Sequence, residues 1–252
     1  MRTVIIVQAR MASTRLPGKV LLPLGGEPML TRLVQRLRRV RLADAILIAT
    51  TTSASDDAIV ALCEHLGVAH HRGSEHDVLS RYAEAATRHQ ADMVVRVTSD
   101  CPLIDPALID QAIARYQVGD VGCVSNMLPP SWPYGMAVEV FGAQALAEAH
   151  AQASQAAERE HVTPFLYARP ERYRLHNIAS PVNLSAQRWT VDTPEDYELV
   201  RRLFDAVFAA QPDFTLADLQ AAMQAHPDWF AINQHIVQKP ATEFQTIQEP
   251  TA

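Results

Sequence analysis

The sequence predicts an α/β fold, a mostly parallel mixed sheet flanked by helices on both faces, and three observations carry that reading. Short β-branched runs such as Val4–Val7 are apolar throughout, as strands buried on both faces are. Apolar residues at spacings of three and four follow them, the signature of amphipathic helices. The alternation repeats along the first half of the chain, and parallel neighbours need crossover connections, which helices of this length supply.

Taken in order, the first strand is Val4–Val7, which ends abruptly in the polar stretch Gln8–Lys19. Met29, Leu30, Leu33, Val34 and Leu37 form the stripe of a helix running from near Pro28 to about Arg39. Ala45–Ala49 reads as the second strand, and Ser55 is positioned to cap a helix carrying Ile59, Leu62, Cys63 and Leu66 that Gly67 terminates. Val78–Ala86 is helical, Met93–Val97 is the third strand, and Asp105 with Pro106 fits the N-cap and N1 positions of the next helix. Beyond Tyr116 the order loosens: Val121–Val124, Val138–Phe141 and Tyr173–Ile178 read as strands and Ala143–Ala153 as a helix. Thr193 and Pro194 open a further helix whose stripe is Tyr197, Val200, Leu203 and Phe204. No internal repeat is visible. From Lys239 to Ala252 the patterning vanishes, and a disordered tail is expected there.

The 252 residues are 48% hydrophobic and 20% charged, enough for one or at most two domains with a real core, and residues 1–238 are expected to form one. Lys and Arg number 22 against 28 Asp and Glu, a formal charge of −6. That balance disfavours coating of nucleic acid, so any anionic ligand must meet a local basic cluster. Arg32, Arg36 and Arg39 share a helix face and in an acidic chain read as solvated. Cys63, Cys101 and Cys123 are odd in number and show no C-x-x-C spacing, nor do Cys63, His65, His70, His71 and His76 match a zinc pattern. A reducing, cytoplasmic setting is the simplest inference. No run approaches the roughly 18 apolar residues of a membrane span, so no membrane partner is expected.

In open α/β sheets ligands sit beyond the carboxyl ends of the strands, which directs attention to the loop after the first strand. Between Arg10 and Lys19 it gathers Arg10, Arg15 and Lys19 with the hydroxyls of Ser13 and Thr14 around Pro17-Gly18. Guanidinium forks and a lysine point charge suit the oxygens of a nucleoside triphosphate, and Gly18 permits close backbone approach. A P-loop is excluded by spacing, because Ser13 and Val20 stand where that motif needs Gly and Ser or Thr. Asp100 follows the third strand and Asp192 follows Trp189-Thr190-Val191, so both could stand at one edge of the sheet if those segments are strands. Together they could supply the hard oxygen ligands a magnesium ion needs beside substrate phosphates.

The run Val7-Gln8-Ala9-Arg10-Met11-Ala12-Ser13-Thr14-Arg15-Leu16-Pro17-Gly18-Lys19 resembles the signature loop of the cytidylyltransferases that make CMP-activated sugar acids. Within that superfamily the likeness is to the SpsF-like, spore-coat-polysaccharide type. It continues through Arg72-Gly73-Ser74, Asp100 to Asp105, Glu158-Arg159-Glu160-His161 and Val191 to Asp196. The resemblance implies a three-layer Rossmann-like nucleotidyltransferase fold and an enzyme condensing CTP with a sugar acid or related anionic small-molecule acceptor, releasing pyrophosphate. It implies nucleotide contacts from Ala9, Arg10, Met11, Ser13, Arg15, Lys19, Arg72 and Ser74, and Mg2+ held by Asp100 and Asp192, with Arg10 and Lys19 completing the catalytic set. An acceptor pocket is expected from Glu139, Arg159, His161 and Arg188, within a region of about residues 125–190 that also supplies the contacts of a homodimer. His161 titrates near neutral pH and could orient or deprotonate an acceptor hydroxyl. Arg72 could instead pair with Glu75 or Asp77 on the surface. The sequence departs from some relatives at Thr190, where they carry a second acid, and at Ala137, where an acid often precedes Val-Glu-Val. The alternatives are a metal-dependent glycosyltransferase, which would normally show an Asp-x-Asp motif, and a non-catalytic nucleotide-binding module.

Overall fold

β-Branched apolar residues on both faces of Thr3–Gln8 (β1) make it the natural centre of a sheet, and Val4 to Val7 are completely buried. The computed structural model describes residues 1–237, and the tail expected at Lys239–Ala252 lies outside them. The remaining strands are Pro23–Leu24 (β2), Glu27–Pro28 (β3), Ala45–Thr51 (β4), Ala69–Gly73 (β5), Met93–Thr98 (β6), Cys123–Ser125 (β7), Glu139–Gly142 (β8) and Leu175–Asn177 (β9). Seven of them form one sheet in the order β5-β4-β1-β6-β8-β7-β9, while β2 and β3 make a separate antiparallel ribbon. The first four positions are parallel, β8 runs antiparallel to both its neighbours, and β9 pairs parallel to β7.

Nine helices among the described residues connect these strands: Met29–Leu37 (α1), Asp57–Leu66 (α2), Val78–Arg88 (α3), Pro106–Gln117 (α4), Ala143–Gln152 (α5), Ala156–His161 (α6), Pro164–Tyr167 (α7), Pro194–Phe208 (α8) and Leu216–Ala225 (α9). Alternate residues of each strand point to opposite faces, so the sheet builds two cores. Ile5, Val7, Ile48, Val95 and Val140 pack under α1, α2, α4, α8 and α9. Val4, Ile6, Leu47, Val94 and Phe141 pack under α3, α5 and α7. The result is the three-layer arrangement expected, with a mixed, mostly parallel sheet.

The predicted caps hold at two helices. Asp105 accepts a hydrogen bond from the Ala107 amide, and Thr193 shares a reciprocal capping box with Asp196. Ser55 does not cap α2. It lies within a 3-10 turn, Ala54–Asp56, and the N-cap position belongs to Asp56, whose carboxylate turns inward. Nor is Arg36 solvated, being 4% exposed: it donates to the carbonyls of Ile104 and Phe214 and lies 3.8 Å over the Phe214 ring. A stripe of arginines reads as solvated by charge alone, but a guanidinium over an aromatic face with carbonyl partners can be buried. β7 and β9 are shorter than expected, β8 is shifted by one residue, and Trp189–Val191 joins no sheet, only a single bridge forming at Tyr134 and Arg188.

Candidate active site

The strand order reverses at β1: the chain runs outward to β4 and β5 on one side and then returns to β6 on the other. The loops leaving β1 and β6 therefore diverge and open a crevice at their carboxyl ends, the position where open α/β sheets bind ligands. The loop after β1 is closed on a single carbonyl, since the amides of Ser13 and Gly18 both donate to the Met11 oxygen at 2.9 Å. Gly18 adopts a φ of 70°, a left-handed conformation that strains other residues. The Met11 amide in turn donates to Asp56 at 2.8 Å, which ties the loop to the end of β4. Ala9 is held by its amide to Ala49.

Lys19 begins a 3-10 turn at the end of this loop, and its ammonium reaches back into the crevice. It donates to Asp100 at 3.3 Å, to Asp192 at 2.9 Å and to the Val191 carbonyl at 2.7 Å. The two aspartates, 92 residues apart in sequence, thus converge on one cation. Burial opposes the Lys19 charge, but Asp100 and Asp192 outweigh it and hold the ammonium above its ordinary pKa. Burial likewise opposes the Asp192 carboxylate, which Lys19, Arg15 and Arg188 nevertheless hold below the usual range. Arg15 contacts Asp192 at 3.0 Å, and Arg10 lies 3.9 Å from Glu75.

The segment carrying Asp192 is fixed from both sides. The Val191 amide and the Thr190 hydroxyl both donate to the Asp100 carbonyl, at 2.8 and 3.1 Å. Thr190, standing where some relatives carry an acid, therefore clamps the two aspartate segments together. Tyr134 exchanges hydrogen bonds with Gln187 and Trp189 through its backbone, and Gly135 approaches so closely that a Cβ there would lie 2.5 Å from the Trp189 carbonyl carbon. Arg188 is buried between Asp192 and the fully buried Asp196, donating to Asp196 through Nε and Nη2 at 2.8 Å each. Expected as an acceptor contact, it is bound in the structure to the Asp192 assembly.

The other expected residues fall elsewhere around the crevice. Arg72 does not pair with Glu75 or Asp77. It bonds Asp57 at 2.6 Å and the carbonyls of Thr51 and Ser53, bracing the loop after β4. The Ser74 hydroxyl accepts from the Asp77 amide, and Arg159 bonds Asp77 and the His150 carbonyl, so both shape the loop after β5. Glu139 is not joined to Asp100 or Asp192. Buried on the opposite face, it pairs with Arg96 and accepts from the hydroxyls of Thr163 and Tyr167. His161 is half-buried near this pair, and burial holds its imidazole below the ordinary value. Burial and the neighbouring Asp100 push the Cys101 thiol far up, which disfavours its thiolate.

Several residues of the site were not legible in the sequence. Asp56 accepts four hydrogen bonds, from the Met11 and Thr51 amides and the Thr50 and Thr51 hydroxyls. Its signal was an acid in the short connection after a strand, in the run Ser55-Asp56-Asp57 that reads equally well as a helix cap. Asp196 was visible as a helix N3 residue but not as a partner of Arg188. Arg81, 2% exposed, donates to the Ser74 carbonyl, and Arg96 counters Glu139; both sit in ordinary strand or helix patterns.

The donor chemistry suits a hard divalent cation. Two convergent carboxylates lie at the rim of the crevice, and among the described residues no cluster of three or more His, Cys, Asp or Glu side chains forms a complete cage. Magnesium is characteristically held in this way, by one or two carboxylates with the remaining positions left to phosphate oxygens and water. Asp100 and Asp192 are the residues that would hold it.

A model of the cytidylyltransferase family matches residues 4–224. The spore coat polysaccharide biosynthesis protein SpsF of Bacillus subtilis is 34% identical over 232 residues, spanning 88% of this chain and 94% of its own. A cytidylyltransferase structure from Leptospira borgpetersenii superposes with a TM-score of 0.87 at 30% identity, covering 95% of this chain and all of that one. The structure of CMP:2-keto-3-deoxy-manno-octonic acid synthetase complexed with CTP shares the fold, with a TM-score of 0.60 at 20% identity over 81% of this chain and 99% of its own. The match of the family model across both cores and the residues lining the crevice makes this chain a member of the cytidylyltransferase family.

Proposed function

We propose that this protein is a Mg2+-dependent cytidylyltransferase that condenses CTP with a sugar acid or related anionic acceptor, releasing pyrophosphate, within surface polysaccharide or glycan biosynthesis. The observation that carries the reading is the convergence of Asp100 and Asp192 on the Lys19 ammonium at the strand-order reversal, beside the cationic loop after β1. CTP as donor draws support from the fold neighbour that holds it, and polysaccharide biosynthesis from the likeness to SpsF.

In this reading the backbone of Ala9 to Ser13 and the side chains of Arg10, Arg15 and Lys19 orient the triphosphate, and Arg72 and Ser74 keep the loops around the nucleoside in shape. Bound Mg2+ would offset charge developing on the pyrophosphate leaving group. Lys19 does part of the same work from the protein, since its charge is secured by two carboxylates and remains present throughout the neutral range. Arg188 keeps Asp192 aimed at the crevice. His161, whose charged form burial disfavours, is suited to accept the proton of an acceptor hydroxyl. Positioning and electrostatic stabilisation account for the rate, as in other phosphoryl-type transfers. A cytoplasmic homodimer, joined through about residues 125–190, completes the proposal; among the described residues no helix is long and apolar enough to cross a membrane.

The decisive experiment supplies purified protein with Mg2+, each of the four nucleoside triphosphates and a panel of sugar acids. Acceptor-dependent pyrophosphate from CTP is expected. Release of UDP or GDP from a sugar nucleotide, or nucleotide binding without any product, would overturn the proposal. Light scattering reads the dimer, and a monomeric mass at working concentration removes that part.

A further inference from the structure

The C-terminal segment after α9 reaches back to the crevice through one side chain. A 3-10 turn, Pro227–Ile232, leads into Asn233, which is 2% exposed although it stands near the end of the described chain. Its amide nitrogen donates to the Arg188 carbonyl at 2.9 Å and to Asp196 Oδ1 at 2.8 Å. Asp196 is completely buried and spends its other oxygen on the backbone amides of Asp192 and Thr193 and on Arg188 Nη2. The same Arg188 nitrogen donates to Asp192 Oδ2 at 3.0 Å. A chain of direct hydrogen bonds thus runs from Asn233 through Asp196 and Arg188 to the Asp192 carboxylate.

We infer that Asn233 is a positioning residue of the active site, setting the orientation of the Asp192 carboxylate for a divalent cation through Asp196 and Arg188. The inference rests on the reading of Asp192 as a metal ligand. Asn233 lies beyond residue 224, where the match to the family model ends, so the C-terminal segment of this chain completes a site whose other parts lie within the matched region. The physical ground is saturation. Asp196 is a buried carboxylate whose oxygens each face more than one donor, and among the described residues the donors at Oδ1 are Asn233 and Arg188 Nε. Without it, the Arg188 guanidinium is drawn further towards Asp196 to restore the lost bond, and its hold on Asp192 loosens. The two hydrogen bonds that its side-chain amide donates, to the Arg188 carbonyl and to Asp196, also explain a buried polar side chain in an otherwise exposed segment.

The test measures CTP affinity by calorimetry in Mg2+ and in EDTA, without acceptor, and takes the ratio as the metal-dependent increment. Asp192→Asn should bring that ratio close to one; if it leaves the ratio at the wild-type value, the reading of Asp192 as a ligand fails and the inference with it. Asn233→Ala and Asn233→Leu, the latter keeping the volume without the donors, should lower the ratio about tenfold, the scale of lost outer-shell partners, while CTP affinity in EDTA stays near wild type. Ile232→Ala removes neighbouring packing without touching Asp196, and should lower the melting temperature but leave the ratio intact. A wild-type ratio in Asn233→Leu, or an equal drop in Ile232→Ala, overturns the positioning role while leaving Asp192 as a ligand.

Discussion

Replacing Lys19 with Met tests the electrostatic centre of the site directly. The ammonium has three acceptors between 2.7 and 3.3 Å and its side chain is only 11% exposed, so Lys19→Met leaves two facing carboxylates without the cation between them. Breaking a buried pair from one side costs about 3–5 kcal/mol. Arg15 and Arg188 still contact Asp192, each at 3.0 Å, which reduces the expected loss to about 2–3 kcal/mol at pH 7. For a chain of this size that corresponds to a melting temperature lower by about 5–10 °C. The pH dependence follows from the two shifts. Asp192, held low in the folded state, contributes stability that is present above the ordinary carboxylate value and is lost as pH falls through its lowered value. Lys19, held high, contributes stability that is complete below the ordinary lysine value and is lost as pH rises through its raised value. The gap between wild type and variant should therefore be widest across the neutral range and close towards both extremes. Thermal unfolding from pH 3 to 11 reads it. A variant within about 0.5 kcal/mol of wild type at pH 7, or a gap independent of pH, refutes the reasoning.

Three further perturbations probe the scaffold of the site. Gly135→Ala forces a Cβ to within 2.5 Å of the Trp189 backbone at a φ of 113°, and should cost about 3 kcal/mol or more, read by chemical denaturation. Asp56→Ala removes the acceptor of the Met11 amide and three groups at the end of β4; it should raise the KM for CTP about tenfold by loosening the loop, with a fall of about 2 kcal/mol in stability. Glu139→Gln leaves the Arg96 guanidinium without its counter-ion and should destabilise by about 3 kcal/mol, measured by urea unfolding, while CTP affinity in titration calorimetry stays unchanged because Glu139 contacts neither Asp100 nor Asp192.

What was legible in advance divides along physical lines. Local patterns encode local structure: the β-branched run at Val4–Val7, the stripe from Met29 to Leu37 and the Thr193-Pro194 cap each formed the element expected, because propensity and burial agree there. The cationic loop was visible too, since its composition is anomalous over ten residues. Ser55 failed as a cap because the neighbouring Asp56 had a better use for its carboxylate than the helix end did. Arg36 failed as a surface residue because charge periodicity carries no information about which aromatic ring lies opposite. Arg159 and Glu139 were expected to contact an acceptor, and the partners the structure gives them, Asp77 and Arg96, lie 82 and 43 residues away. By itself, then, the sequence determined an α/β chain of the cytidylyltransferase kind with a cationic loop after its first strand. Only the tertiary structure decided that Lys19, Asp100 and Asp192 meet, that Arg188 and Asn233 stand behind them, and that Glu139 does not join them. Side chains far apart along the chain acquire partners only when strand order and packing bring their backbones together, and no local pattern records that geometry.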